Sequence, residues 1–85
     1  MVEKIKKTIE SGLPGAAVYV VDPQSDGQHF EAVVVSELFR EVSLVKQHQM
    51  VMKLLKQAFA ESVHALALKT FTPEKWNEVK SQYHV

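Results

Sequence analysis

An amphipathic helical segment lies between two strand-like segments, and this order restricts the fold more than any other feature. Ser43 is a good N-cap, and the helix is predicted to run to about Ser62. At about 100° per residue, one side carries apolar residues and a histidine, namely Leu44, Val45, His48, Val51, Met52, Leu55, Ala58 and Phe59. The other side is polar, with Lys46, Gln49, Lys53, Lys56 and Gln57. This pattern predicts a helix whose apolar side packs on the core.

The remaining segments complete the order α-β-β-α-α-β-α. They are a helix over 2–12, strands over 16–22 and 30–36, a short helical turn over 37–42, a third strand from His64 and a last helix after Thr72. A strand, a helix and a further strand form a parallel, right-handed unit. We therefore expect an α/β (α+β) fold in one domain spanning residues 1–85. Its three-stranded mixed sheet should have the helices packed on one face.

The segment His64–Trp76 joins a strand to a capped helix. Leu66 and Leu68 alternate with alanines, which is typical of a strand with one bulky face. Thr72 is a suitable N-cap, and Pro73 fits the first helical position because its missing N–H costs nothing there. An imidazole is thus expected at the start of a strand.

Two of the four histidines open predicted strands. His29 precedes the second strand and His64 opens the third, and parallel strands begin at the same edge of a sheet. Histidine is the commonest metal ligand. Two imidazoles do not complete a tetrahedral zinc site, and Asp22 and Asp26 are the nearby carboxylates that could add to it. The residues alone indicate an incomplete metal site.

The other two histidines are expected to have no ligand role. His48 lies about one turn into the long helix, on its apolar side and toward the far end from His29 and His64. We expect its ring to be hydrogen-bonded within or at the edge of the core. His84 is expected to be solvated.

Composition argues against several functional classes. The chain has no cysteine, which excludes disulfides, thiolate zinc sites and a cysteine nucleophile. Ten basic side chains are balanced by ten acidic ones, which argues against strong non-specific binding of nucleic acid. No segment approaches the ~20 apolar residues of a membrane span, and no signal-peptide pattern is present, so we expect a cytoplasmic protein. No hydrolase spacing or phosphate loop is found, so we expect no enzyme.

Three stretches of the chain resemble the BolA-like family. They are Phe30–Phe39, Ser43–Val51 and His64–Trp76, and the similarity extends over essentially the whole chain. The resemblance implies a class II KH-like fold. It also implies a complex with a monothiol glutaredoxin in which the two proteins share a glutathione-ligated [2Fe–2S] cluster.

The resemblance also implies ligands and a role. The family's ligand histidine opens the third strand and corresponds to His64. A second ligand comes from the loop between the first two strands, where His29 is the available imidazole. A chain without cysteine can join such a cluster only through nitrogen ligands. We therefore expect a metal-binding adaptor in iron–sulfur trafficking and iron homeostasis.

Other family members are described as DNA-binding regulators of the stress response and cell morphology. This is the alternative function, and the neutral net charge makes it the second choice. A plain protein-interaction module is the third. The sequence leaves open whether the free protein forms a homodimer.

Overall fold

A computed structural model describes residues 2–26, 29–59 and 66–83 of the 85-residue chain. Its elements are α1 (Val2–Gly12), β1 (Ala17–Val21), β2 (Phe30–Val35), the 3-10 turn η1 (Glu37–Phe39), α2 (Leu44–Phe59), β3 (Leu66–Phe71), α3 (Pro73–Val79) and the 3-10 turn η2 (Lys80–Gln82). The predicted order is confirmed, with η1 in place of the short helical turn. His64 and His84 lie outside the described residues, as does the predicted end of the long helix at Ser62.

The three strands form one mixed sheet in the order β1-β2-β3. Strands β1 and β2 are antiparallel, with Val18 opposite Val34. Strands β2 and β3 are parallel, and their register begins with Phe30 opposite Leu66. The predicted parallel pairing is confirmed, and it places the first residues of β2 and β3 side by side.

Helices α1 and α2 pack on one face of this sheet. The core joins apolar side chains from both helices, η1 and alternate strand positions, namely Ile5, Ile9, Leu13, Val18, Phe30, Val34, Phe39, Val51 and Leu55. Gly12 allows the two helices to approach closely, because a Cβ at this position would lie 2.3 Å from a methyl carbon of Leu54. Within the described ranges, no helix is both long and apolar enough to cross a bilayer.

Helix α3 lies on the other face of the sheet, which differs from the expected one-sided packing. The Trp76 ring stacks on Tyr19 at 5.7 Å and contacts Phe71 at 5.5 Å between ring centroids. Strand alternation places Tyr19 and Phe71 on the face opposite the core, together with Val33. Because both faces of the sheet carry apolar side chains, helices pack on both faces. The predicted packing on one face holds for α1 and α2 only.

The buried side of α2 is also rotated from the predicted one. Gln47, Val51 and Leu55 are buried, whereas Leu44, Val45 and Met52 are exposed. Gln47 can face inward because its amide is satisfied: Nε2 donates to the Val42 carbonyl at 2.8 Å, and Oε1 accepts from Thr70 Oγ1 at 2.7 Å. A buried amide with both partners costs little.

The predicted helix starts are confirmed. The Thr72 hydroxyl accepts from the Lys75 N–H at 3.4 Å, and Pro73 is the first residue of α3. The Ser43 hydroxyl accepts from the Lys46 N–H at 3.3 Å at the start of α2. Both caps satisfy backbone N–H groups that have no partner within the helix.

Candidate functional site

Two aspartates shape the loop between β1 and β2. The Asp22 carbonyl accepts from the Ser25 N–H at 3.1 Å, and its carboxylate accepts from the Asp26 N–H at 3.3 Å. The Asp26 carboxylate in turn accepts from the His29 N–H at 3.0 Å. Short aspartate side chains stabilise turns in this way. The loop therefore places His29 directly before β2, whose first residue, Phe30, is buried in the core.

The same Asp26 carboxylate holds the imidazole of His29. The Nδ1 atom lies 2.7 Å from Asp26 Oδ2, and the histidine side chain is 54% exposed. In the neutral tautomer in which Nδ1–H donates to the carboxylate, Nε2 keeps its lone pair for a metal. A carboxylate bound to the second ring nitrogen is a common support for a metal-ligating histidine. The Asp26–His29 pair is therefore suited to present Nε2 as a ligand.

A surface groove connects this histidine to the start of β3. Its volume is about 420 Å³, and its walls come from the loop, the start of β2 and the start of β3, namely Pro23, Gln24, His29, Phe30, Glu31, Leu66 and Ala67. The parallel register explains this wall, because Leu66 lies directly opposite Phe30. His64 precedes Leu66 by two positions and lies outside the described residues, so its place in the site remains a prediction.

The described residues do not enclose a metal by themselves. No group of three or more histidine, aspartate or glutamate side chains within residues 2–26, 29–59 and 66–83 is arranged to hold an ion. A metal at His29 would need ligands from elsewhere.

The contact between Asp26 and His29 was not predicted. The sequence indicated Asp22 and Asp26 as possible additional metal ligands, whereas in the structure Asp26 Oδ2 contacts the His29 ring. The three-residue spacing in Asp26–His29 is the available signal, because an aspartate commonly caps a backbone N–H a few residues later. His48 lies on α2 and does not line the groove. It is half-buried and makes no side-chain hydrogen bond to the residues that the structure describes, so the expected buried bond is absent there.

Comparison with known proteins identifies the family. A family model described as "BolA-like protein" matches residues 10–75. The DNA-binding transcriptional regulator BolA of Haemophilus influenzae is 46% identical over 48 residues, which are 56% of this chain and 47% of the regulator. The acid stress protein IbaG of Escherichia coli K12 is 39% identical over 57 residues, which are 66% of this chain and 68% of IbaG.

The fold comparison agrees. The structure of a bolA protein homologue from Coxiella burnetii superposes with a TM-score of 0.76 at 35% identity, covering 91% of this chain and 96% of that one. The match to the Haemophilus regulator spans about half of that protein's length. The KH-like classification remains a prediction. On the family match and the shared fold, this chain belongs to the BolA-like family.

Proposed function

We propose that this protein is a non-enzymatic, cytoplasmic adaptor for iron–sulfur clusters. It would bind a monothiol glutaredoxin and supply imidazole ligands to a glutathione-ligated [2Fe–2S] cluster that the two proteins share. The supporting observation is the Asp26–His29 pair, whose ring contact measures 2.7 Å, at a groove bordered by the start of β3.

His64 and His29 have different roles in this proposal. His64 is the main ligand, on the family resemblance and on its place in the chain. In the sequence it precedes Leu66, which lines the groove, by two positions. His29 is the second ligand, with its ring held by Asp26.

The donor set is compatible with a cluster that is shared with a partner. Iron–sulfur clusters are usually held by four thiolates, and this chain has no cysteine. Glutaredoxin and glutathione would therefore supply the sulfur ligands, and this protein the nitrogen ligands. Replacing thiolates with imidazole raises the reduction potential of such a cluster.

The experiment is a titration followed by visible absorption and circular dichroism. Cluster-loaded glutaredoxin is mixed with wild-type protein, His29→Ala or His48→Ala. We expect the wild type and His48→Ala to give the same new spectrum, distinct from that of glutaredoxin alone. His29→Ala should give a weaker or altered one. A mixture whose spectrum equals the sum of its components would contradict the proposal.

A DNA-binding regulator is the second candidate, favoured by the name of the Haemophilus relative. Helix α2 exposes Lys46, Lys53 and Lys56 and contains no acidic residue. Its surface is therefore locally basic, although the net charge of the whole chain is zero. Such a surface should bind duplex DNA weakly at about 0.15 M salt and lose affinity steeply as salt rises. Fluorescence anisotropy over a salt series measures this. Sub-micromolar, sequence-specific binding at that salt concentration would place the regulator first.

A further inference from the structure

Within the part of the chain that the structure describes, strand β1 forms an open edge of the sheet. Among the described residues it pairs with β2 alone, and its sequence Ala-Val-Tyr-Val-Val has no charge, proline or glycine. Five of the six β2 residues are buried, whereas only Val18 is buried in β1. Natural edge strands usually carry a lysine, a proline or a bulge that prevents pairing with another chain. The other edge strand, β3, carries Lys69; β1 carries no such residue.

A shallow groove runs beside this edge and is lined by residues of opposite charge. It has a volume of about 170 Å³ and lies between four β1 residues and the first turns of α1, lined by Val2, Glu3, Lys6, Val18, Tyr19, Val20 and Val21. Glu3 and Lys6 are three positions apart, so they project from neighbouring places on one helix face. The edge therefore combines apolar strand positions with one anionic and one cationic side chain.

We propose that β1 pairs with β1 of a second copy of this chain, in antiparallel orientation. A two-fold axis beside Tyr19 places Ala17 opposite Val21 and Val18 opposite Val20 of the other copy, so an apolar residue always meets an apolar residue. The two sheets join into one, and the two α1 helices lie antiparallel on the same face. The first turns of both α1 helices then border the contact, where Glu3 of each copy can pair with Lys6 of the other, so the contact is self-complementary, as two-fold symmetry requires.

The size of this contact makes the dimer weak and reversible. It involves five strand residues and the first turns of one helix per copy. So few residues make a small interface, whereas stable complexes commonly bury about 1,600 Å². Among the residues that the structure describes, none lines both the β1 groove and the His29 groove, so the proposed dimer does not depend on the proposed function.

Sedimentation equilibrium of the cluster-free protein, at low salt and up to about 1 mM, tests the pairing. The dimer contains two Glu3–Lys6 ion pairs between the copies. Glu3→Lys or Lys6→Glu alone turns both pairs into contacts between like charges. The double variant Glu3→Lys/Lys6→Glu restores opposite charges in both pairs. Two exposed residues elsewhere provide controls of equal charge change, Glu78→Lys on α3 and Lys53→Glu on α2. Circular dichroism checks that every variant is folded.

We expect each single groove variant to weaken the dimer about three- to tenfold, since surface ion pairs have modest strength. The double variant should return to the wild-type constant, and the two controls should stay close to it. A wild-type protein that remains monomeric at the highest concentration would overturn the proposal. So would groove variants that behave like their controls, or a double variant that is not restored.

Discussion

At the scale of single residues, Asp26 organises the candidate site. Its carboxylate accepts from the His29 N–H at 3.0 Å through one oxygen and contacts the His29 ring at 2.7 Å through the other. Half of the His29 side chain is exposed, so packing alone does not fix the ring. The position of His29 Nε2 therefore depends on Asp26, which need not bind the metal itself.

Asp26→Asn tests this dependence. The asparagine side chain can still accept from the His29 N–H, but the charged partner of the ring is lost. Removing the carboxylate behind a ligating histidine commonly costs 10- to 100-fold in metal affinity, and we expect about tenfold weaker formation of the cluster complex. Circular dichroism titration with cluster-loaded glutaredoxin measures it, and Glu37→Gln, an exposed carboxylate on η1, is the control. Equal affinities for Asp26→Asn and the control would contradict the role of Asp26.

His48→Ala should have little effect on stability or on the cluster. The ring is half-buried and makes no side-chain hydrogen bond within the described residues, so only packing is lost. We expect the free energy of unfolding to fall by less than about 1 kcal/mol, as is usual away from buried networks. Urea denaturation measures this. A loss above about 2 kcal/mol would instead indicate the buried hydrogen bond that the sequence suggested.

At the scale of the elements, buried polar contacts fix how α2 sits on the sheet. Gln47 joins α2 to the Val42 carbonyl and to Thr70 of β3, and both Gln47 and Thr70 are buried. These bonds hold the start of α2 against the end of β3. They also explain why Leu44 and Val45 point to solvent.

Thr70→Val should destabilise the fold through this contact. Valine has nearly the shape of threonine but cannot donate to Gln47 Oε1, which would remain buried without that partner. We expect the free energy of unfolding to fall by about 1–3 kcal/mol. Thr8→Val is the matched control, because the Thr8 hydroxyl donates to the Lys4 carbonyl on an exposed part of α1. Chemical denaturation of both variants provides the comparison, and equal losses would contradict the argument.

An exposed ion pair connects η1 to α3. The Arg40 guanidinium donates to Glu74 and, at 3.4 Å, to Glu37. The backbone N–H of Glu74 and then Arg40 hold the pKa of the Glu74 carboxyl below its ordinary value. Because this pKa is lower in the folded state, the stabilisation exists above the unfolded value of about 4.3 and is lost as pH falls through the folded value.

Arg40→Gln should raise the pKa of Glu74 toward its ordinary value without restoring it fully, since the backbone N–H remains. The fall in stability below about pH 4.3 should become shallower. Carboxyl-detected NMR titration gives the pKa directly, with Lys75→Gln as a control of equal charge change on the same helix. An unchanged pKa in Arg40→Gln would show that the ion pair does not form in solution.

At the scale of the whole molecule, local patterns determined what could be predicted. The caps at Ser43 and Thr72, the strand order and the parallel pairing of β2 and β3 follow from signals within a few residues or from general rules of chain connection. The rotation of α2 and the position of α3 were not predictable in this way. They depend on Thr70 meeting Gln47 and on Trp76 meeting Tyr19, which are contacts between residues distant in the sequence.

The candidate site was predictable in part for the same reason. Parallel strands begin at one edge, so His29 and the start of β3 could be expected together, and both line one groove. The Asp26–His29 contact depends on the conformation of the loop, where Ser25 has a positive φ of 52°. The ligand role of His64 is a prediction from family resemblance.

The central claim is that imidazole nitrogen from this protein ligates the shared cluster. Pulsed EPR of the reduced complex measures it most directly, with ¹⁵N-histidine in this protein and unlabelled glutaredoxin. We predict a ¹⁵N hyperfine coupling typical of a directly bound imidazole in the wild type and in His48→Ala. In His64→Ala the shared complex should not form, because the main ligand is missing, so the coupling should be lost; in His29→Ala it should be altered. A wild-type complex that forms but shows no ¹⁵N coupling would contradict the claim.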